Sequence, residues 1–303
     1  MPAGQRRRFA AFVAGGTVVA AAALWWPLHG RVPLLPLPQN APLRVTNEGA
    51  ALAATISYPS SGSAPFPGVV IVHGSGRMTR DQLRGMREPL VAAGLAVLTY
   101  DKRGVGESTG EYDDVGVRTS PQRMPLLGRD ALACLRALKS SRGIDPARVG
   151  FLGMSQAGWI IPAAIGAAHP NETAFAVILS GPGTSVGLEY AYSEATGDGI
   201  RAHESLTDAQ IDARVDAYAG PPGFDHAEIL RSLRTPTLWL LGSRDESIPI
   251  RHTERNLRAL VAAGVPITLQ VYEGGNHGLF GPSGPIPFWQ DVTKWLRANR
   301  ILQ

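Results

Sequence analysis

Val149-Gly150-Phe151-Leu152-Gly153-Met154-Ser155-Gln156-Ala157-Gly158-Trp159-Ile160-Ile161 is an apolar run interrupted near its middle by one serine. Val149 to Leu152 reads as a buried strand, and Trp159 to Ala167 suits a buried helix with Pro162 in its first turns. A serine trapped on so sharp a strand-to-helix turn is pushed out of the sheet, with its hydroxyl exposed and its backbone strained. Strand and helix nearly touch at such a turn, so residues two positions either side of the serine must be small. Gly153 meets that demand, and Ala157 stands where a second glycine is usual.

Working outward, strands and helices alternate. Leu43 to Tyr58 reads as a hairpin bent at Asn47-Glu48-Gly49. Val69 to Val72 is a short continuous apolar strand of the buried, parallel kind. Leu83, Met86 and Leu90 form a helical stripe; Gly94 stops it, and a strand from Leu95 to Tyr100 follows. A helix carrying Cys134 leads into the strand that ends at Ser155. Ala176 to Leu179 and Thr237 to Leu241 are further strands. Arg251 to Ala263 reads as a helix, Ile267 to Tyr272 as a strand and Phe288 to Arg300 as a closing helix. A hairpin followed by βα units predicts an α/β protein with one mostly parallel, doubly wound sheet covered on both faces.

One stretch departs from the alternation. Residues 181–234 hold no buried strand, but Thr207 and Gln210 fit a capping box, and Ile211, Val215 and Tyr218 repeat at helical spacing. This is expected to be a helical cap inserted over the strand ends, with a plain surface excursion as the alternative.

The chain has 303 residues and a net charge of +4, of which Arg6, Arg7 and Arg8 supply three, leaving a single net positive charge elsewhere. That balance carries no nucleic-acid signal. The single cysteine, Cys134, excludes an intrachain disulfide, and its stripe with Leu127, Ala131 and Leu138 marks it as a packing residue. No His/Cys cluster has metal-ligand spacing, and no cofactor is expected. Behind the three arginines, Phe9 to Leu28 is an uncharged stretch of twenty residues, long enough to span a bilayer. Residues 1–30 therefore read as an export signal or membrane anchor, with Trp25 and Trp26 favouring the anchor. Arg7-Arg8-Phe9 resembles a twin-arginine signal. The remainder is expected outside the cytoplasm, possession of a tether depending on whether the leader is cleaved. Residues 31–42, with Pro33, Pro36 and Pro38, read as an extended linker, and the folded domain is expected over residues 43–303.

Five segments fall at strand ends, where groups in such sheets gather. They are His73-Gly74-Ser75-Gly76, Asp101-Lys102-Arg103-Gly104-Val105-Gly106-Glu107-Ser108, Ser155, Asp245 three residues beyond Gly242, and Gly274-Gly275-Asn276-His277-Gly278. From about Leu43 onward the chain resembles the α/β-hydrolases, in which nucleophile, acid and histidine follow the order seen in Ser155, Asp245 and His277. The loop Tyr100 to Ser108 and the stretch Leu179-Ser180-Gly181-Pro182-Gly183 resemble the dienelactone-hydrolase and prolyl-oligopeptidase-like branch.

That resemblance implies a serine hydrolase. Ser155 would be the nucleophile, His277 the base that activates it, and Asp245 the carboxylate that fixes the imidazole tautomer. It assigns the oxyanion hole to the backbone N–H groups of Ser75 and Gln156. Glu246 is the alternative acid, and His252 and His226 are the alternative bases. His73 is read as a structural residue that positions the oxyanion backbone, and Asp101 with Arg103 as a buried pair bracing their loop. Trp159, Tyr190, Tyr192, Tyr218 and Phe224 either line an acyl pocket or pack in the core. The expected reaction is cleavage of a small-molecule carboxylic ester through an acyl-enzyme. Peptidase or amidase action of the prolyl-oligopeptidase type is the alternative, and a non-hydrolytic relative (acyl transfer, lyase or binding protein) stands behind both.

Overall fold

A computed structural model describes residues 36–201 and 204–303 of the chain. The candidate leader over residues 1–30 lies outside the described residues; among those described, no helix is long and apolar enough to cross a membrane.

The compact unit spans Leu37–Gln303 and is built on one eight-stranded sheet. Strand β1 (Asn40–Asn47) and strand β2 (Ala50–Ser57) form the expected hairpin. Glu48 and Gly49 turn it with φ of 40° and 76°, the left-handed pair that matches strand twist in a two-residue loop. The linker was expected to run to residue 42, but Asn40 to Pro42 already pair with Ser57 to Thr55. Proline is tolerated there because β1 is an edge strand, where a missing N–H costs no ladder bond.

The remaining strands are β3 (Phe66–Val72), β4 (Ala96–Tyr100), β5 (Ile144–Met154), β6 (Ala176–Leu179), β7 (Thr237–Gly242) and β8 (Ile267–Tyr272). Their order is β1-β2-β4-β3-β5-β6-β7-β8, with only the β1–β2 and β2–β4 pairings antiparallel. Every residue of β3, β4, β6 and β7 is buried, which explains why these strands read as unbroken apolar runs.

Two apolar layers cover the sheet. On one face pack helices α2 (Ser120–Lys139), α3 (Ala157–Gly166), α6 (Ala227–Arg231) and α7 (Ile250–Ala262), through Leu135, Ile161, Leu230 and Leu257. The other face receives α1 (Arg84–Ala92) and α8 (Phe288–Ala298), through Leu90, Val292 and Leu296. Cys134 is buried among the first set, as its stripe predicted. This is the doubly wound arrangement, and it is the α/β-hydrolase fold.

Between β6 and β7 lie α4 (Val186–Thr196), α5 (Asp208–Asp216) and α6. Thr207 caps α5 in a full capping box with Gln210. Asp208, Asp212 and Asp216 repeat at four-residue spacing along α5, and each meets a nitrogen-bearing side chain of the hydrolase core. The contacts are Arg244 at 3.5 Å, Arg251 at 2.5 Å and His252 at 2.9 Å.

Candidate active site

Strand β5 ends at Met154, and Ser155 follows with φ of 59°, a conformation that costs an L-residue roughly 1–2 kcal/mol. The turn is held by Ser155 N–H donating to Leu179 O at 2.9 Å and Gly158 N–H donating to Ser155 O at 2.8 Å. A Cβ on Gly153 would stand 2.4 Å from Ala157 Cβ and 2.7 Å from Val72 O, so strand and helix do nearly touch. Ala157 is accommodated because the residue across from it has no side chain. Gly158 is needed as well, since its Cβ would lie 2.8 Å from Gly181 Cα.

Asp245, on the loop after β7, is 1% exposed, and its carboxylate is fully partnered. Oδ1 accepts from Ser247 N–H at 2.8 Å and Ile248 N–H at 3.1 Å. His277 Nδ1 lies 2.8 Å from Oδ2 and 3.1 Å from Oδ1. Two features bring the Asp245 loop to the His277 loop. Arg244 N–H donates to Gly275 O at 2.8 Å, and a Cβ on Gly242 would stand 2.2 Å from that same oxygen. Asn276 shapes the base loop, its Oδ1 accepting from Gly278 N–H and Phe280 N–H, both at 3.0 Å.

The alternatives weighed from sequence lie elsewhere. Glu246 is exposed, while His252 bonds Asp216 and His226 is buried against Pro182 O. Ser155 stands on the turn after β5, partly exposed, and its hydroxyl has no hydrogen-bond partner among the described residues. Asp245 and His277 are thus brought into contact, with Ser155 poised on its own turn.

His73 is 1% exposed, bonded to Tyr100 O and set edge-on to the Tyr100 ring at 4.3 Å. Burial first, and then the nearby Lys102 charge, push its pKa down to about 3, so the ring is neutral. Beyond it, Ser75 and Gln156 border a cavity of about 270 Å³ walled on its apolar side by Tyr112, Val115, Leu126 and Leu127.

The expected Asp101–Arg103 pair does not form. Asp101 accepts from Arg80 Nη1 at 2.6 Å, while Arg103 grips Asp130 of α2 through two bonds of 2.9 and 2.6 Å. The reason is topological: Arg80 lies at the start of the α1 side of the sheet, and Asp130 sits on the α2 side. Each charge therefore braces its loop against a different layer.

None of the five aromatic residues singled out from sequence borders the cavity beside Ser75. Trp159 is buried and donates to Thr184 O at 2.7 Å, and Tyr192 donates to Asp245 O at 2.6 Å. Tyr218 bonds Pro221 O, Phe224 packs on the core and Tyr190 is exposed. Tyr112 is the aromatic residue at the cavity; its polar, glycine-rich surroundings gave it no periodic signal. Lys102 carries no such signal either. It is 3% exposed, and Nζ donates to Gly74 O at 2.8 Å, Gly76 O at 3.1 Å and Gln156 Oε1 at 3.0 Å.

Comparison with known proteins agrees with this architecture. Residues 82–300, more than half of the chain, match the prolyl oligopeptidase family. An acylamino-acid-releasing enzyme of Arabidopsis thaliana is 27% identical over 68% of this chain, a match spanning 26% of that enzyme's own length. An uncharacterized protein of Mycobacterium tuberculosis is 25% identical over 84% of this chain and 79% of its own. Among solved structures, a Pyrococcus furiosus esterase superposes with a TM-score of 0.60 at 19% identity, covering 86% of this chain and 90% of that one. Porphyromonas gingivalis dipeptidyl peptidase 4 gives a TM-score of 0.61 at 19% identity, over 86% of this chain and 35% of that one. With its sheet order, its serine elbow and its match over residues 82–300, the chain belongs to the prolyl oligopeptidase family and is a serine hydrolase of the α/β-hydrolase fold.

Proposed function

We propose that this serine hydrolase cleaves carboxylic esters of small acids through an acyl-enzyme, with Ser155 as nucleophile. The observation that carries the reading is the 2.8 Å contact between His277 Nδ1 and the buried Asp245 carboxylate, together with the positive φ of Ser155 at its strand-to-helix turn. Ser155 Oγ attacks the acyl carbon while its proton passes to His277 Nε2. Asp245 keeps a proton on Nδ1, leaving Nε2 free to accept, and stabilises the imidazolium that results. The carbonyl oxygen becomes an oxyanion facing the N–H groups of Ser75 and Gln156, each such donor typically contributing about 3 kcal/mol in the transition state. When the intermediate collapses, the ester C–O bond breaks and His277 protonates the departing alkoxide. Water, deprotonated by His277, then attacks the acyl-enzyme, and the acid leaves as Ser155 recovers its proton. A Ser155–His277 hydrogen bond is expected to form once substrate is seated.

The apolar wall and modest volume of the cavity bordering Ser75 support a short acyl group. Peptide cleavage is the second reading, favoured by the family and by the named activity of the Arabidopsis relative. Residues 181–234 act in this reading as a cap, supported by the Tyr192 bond to the acid loop. The arginines and apolar stretch of residues 1–30 support an exported or tethered enzyme, which fractionation of expressing cells would test; activity confined to the cytosol would refute it.

A fluorophosphonate tests the chemistry, with the modified residue located by peptide mass spectrometry. Labelling at Ser155 that disappears in His277→Ala is the expected result; labelling elsewhere, or ester turnover by Ser155→Ala, overturns the assignment. Comparison of kcat/KM for p-nitrophenyl acetate and butyrate with that for N-acetyl-aminoacyl p-nitroanilides separates the two substrate readings. Faster anilide cleavage would replace esterase by peptidase.

A further inference from the structure

The turn Gly74-Ser75-Gly76 has little to hold it. Gly74 and Gly76 carry no side chain, and Gly76 sits at φ of 81°. Glycine backbones reach many conformations at small cost, so a peptide plane between two of them is free to flip. Among the described residues, the hydrogen bonds to this turn come from one group, the Lys102 ammonium, which takes the carbonyls of both glycines. Its third bond goes to the side chain of Gln156, the residue after the nucleophile. An ammonium has three N–H donors, so this one is fully used and has none left for a substrate oxygen.

We infer that Lys102 is a positioning residue of the oxyanion site, whose ammonium fixes the Gly74–Gly76 turn and Gln156 so that two backbone N–H groups aim at one point. The inference rests on the proposed roles of Ser155, Ser75 and Gln156. The geometric reason lies in the planar trans peptide, where C=O and N–H point in opposite directions. Pinning Gly74 C=O to Lys102 therefore sets the direction of Ser75 N–H, because both belong to one plane. The bond that Gly76 C=O accepts from Lys102 holds the other side of Ser75, and the Gln156 side chain ties the elbow to the same nitrogen. A positive charge behind the Gly74–Ser75 peptide also favours the negative charge that develops in front of it.

Burial pushes the Lys102 pKa down to about 8, partly opposed by Asp114. Around the ammonium, Tyr112 presents its ring at 6.0 Å with Arg77 stacked over it, and His73 is neutral. The chain neighbours Asp101 and Arg103 are engaged by Arg80 and Asp130, while Glu111, Asp113 and Arg123 sit farther round the cavity, the last two paired with each other. Loss of the proton leaves an amine with two N–H donors for three acceptors, so the arrangement loosens as pH rises past 8.

Lys102→Met tests this in the whole chain, with p-nitrophenyl butyrate as substrate and an arylboronic acid as a tetrahedral mimic. We expect kcat to fall about 10²-fold with KM within about threefold, and boronate affinity to weaken in step, as for loss of an oxyanion donor. The alkaline fall in kcat near pH 8 should vanish from the residual activity. A folded variant with kcat near wild type, or one that loses kcat while holding boronate as tightly, overturns the inference. Gln156→Leu removes one of the three bonds and keeps the backbone N–H. It should lower kcat about tenfold, and an unchanged kcat would overturn the inference even if Lys102→Met failed to fold. Ser155→Ala is the control: turnover there would sink the underlying nucleophile assignment, whereas an inactive Ser155→Ala beside a fully active Lys102→Met would sink the clamp alone.

Discussion

Asp245→Asn is the substitution whose outcome the geometry constrains most tightly. Two backbone donors, Ser247 N–H and Ile248 N–H, converge on Oδ1. An asparagine must keep its amide oxygen there, because the flipped amide would set donors against donors and leave buried N–H groups unpaired, at about 1–3 kcal/mol each. Its NH₂ group then takes the place of Oδ2, 2.8 Å from His277 Nδ1. A donor at that spot makes Nδ1 the acceptor and moves the imidazole proton to Nε2, the atom that in the proposed mechanism receives the proton of Ser155. The expected loss in kcat is about 10⁴-fold, as for other triads locked in the wrong tautomer. Four factors of ten correspond to about 5–6 kcal/mol of transition-state stabilisation. Steady-state hydrolysis of p-nitrophenyl butyrate measures the loss, and ¹⁵N NMR of the His277 ring reports the tautomer. A variant that keeps kcat within tenfold of wild type, or that retains the Nδ1–H tautomer, would refute the reasoning.

Other expectations follow from the same contacts. Ser155→Gly should abolish turnover yet raise stability by about 1 kcal/mol, since glycine adopts the elbow's positive φ without strain; a lower urea midpoint than Ser155→Ala would contradict this. Gly153→Ala should destabilise by about 3 kcal/mol or more, because the new methyl meets Ala157 and the Val72 carbonyl at impossible distances, and an unchanged melting temperature would contradict the packing at the elbow. His73 and His226 have pKa values depressed from 6.5 to about 3 and about 4 by burial. The unfolded chain therefore binds more protons below pH 6.5, and stability present above that pH is lost as pH falls through these values. For His226 the loss should reach about 3 kcal/mol, read as a fall in urea midpoint between pH 7 and 4 that His226→Gln flattens.

The strands could be read from the sequence because most are buried on both faces and leave an unbroken apolar signature, whereas Ser155, Asp245 and His277 were singled out through their order, which resembles that of the α/β-hydrolases. The choice of Asp245 over Glu246 was not legible in the same way. It depends on which of two adjacent carboxylates turns inward to meet Ser247 and Ile248 N–H, and the chain carries no periodic mark of that. Side-chain pairings between distant segments were equally silent. Arg103 meets Asp130 across twenty-seven positions, and Lys102 meets Gln156 across fifty-four. The first three residues of β1 carry no strand signature because their proline-spaced surroundings resemble a linker, although an edge strand accepts proline.

Tyr192 on α4 donates to the carbonyl of Asp245, and Thr196 to that of Glu246, while Trp239 of β7 and Trp159 of α3 donate to Gly181 O and Thr184 O. The stretch between β6 and β7 is therefore not a detachable module. Trimming it to make a minimal hydrolase would strip the outer supports from the loop that carries the acid, and a graft from a relative would have to preserve them. Under the proposed esterase reading, substrate range is more safely re-engineered at Tyr112, Leu126 and Leu127, whose cavity lies on the β3–β4 side of β5, away from those supports.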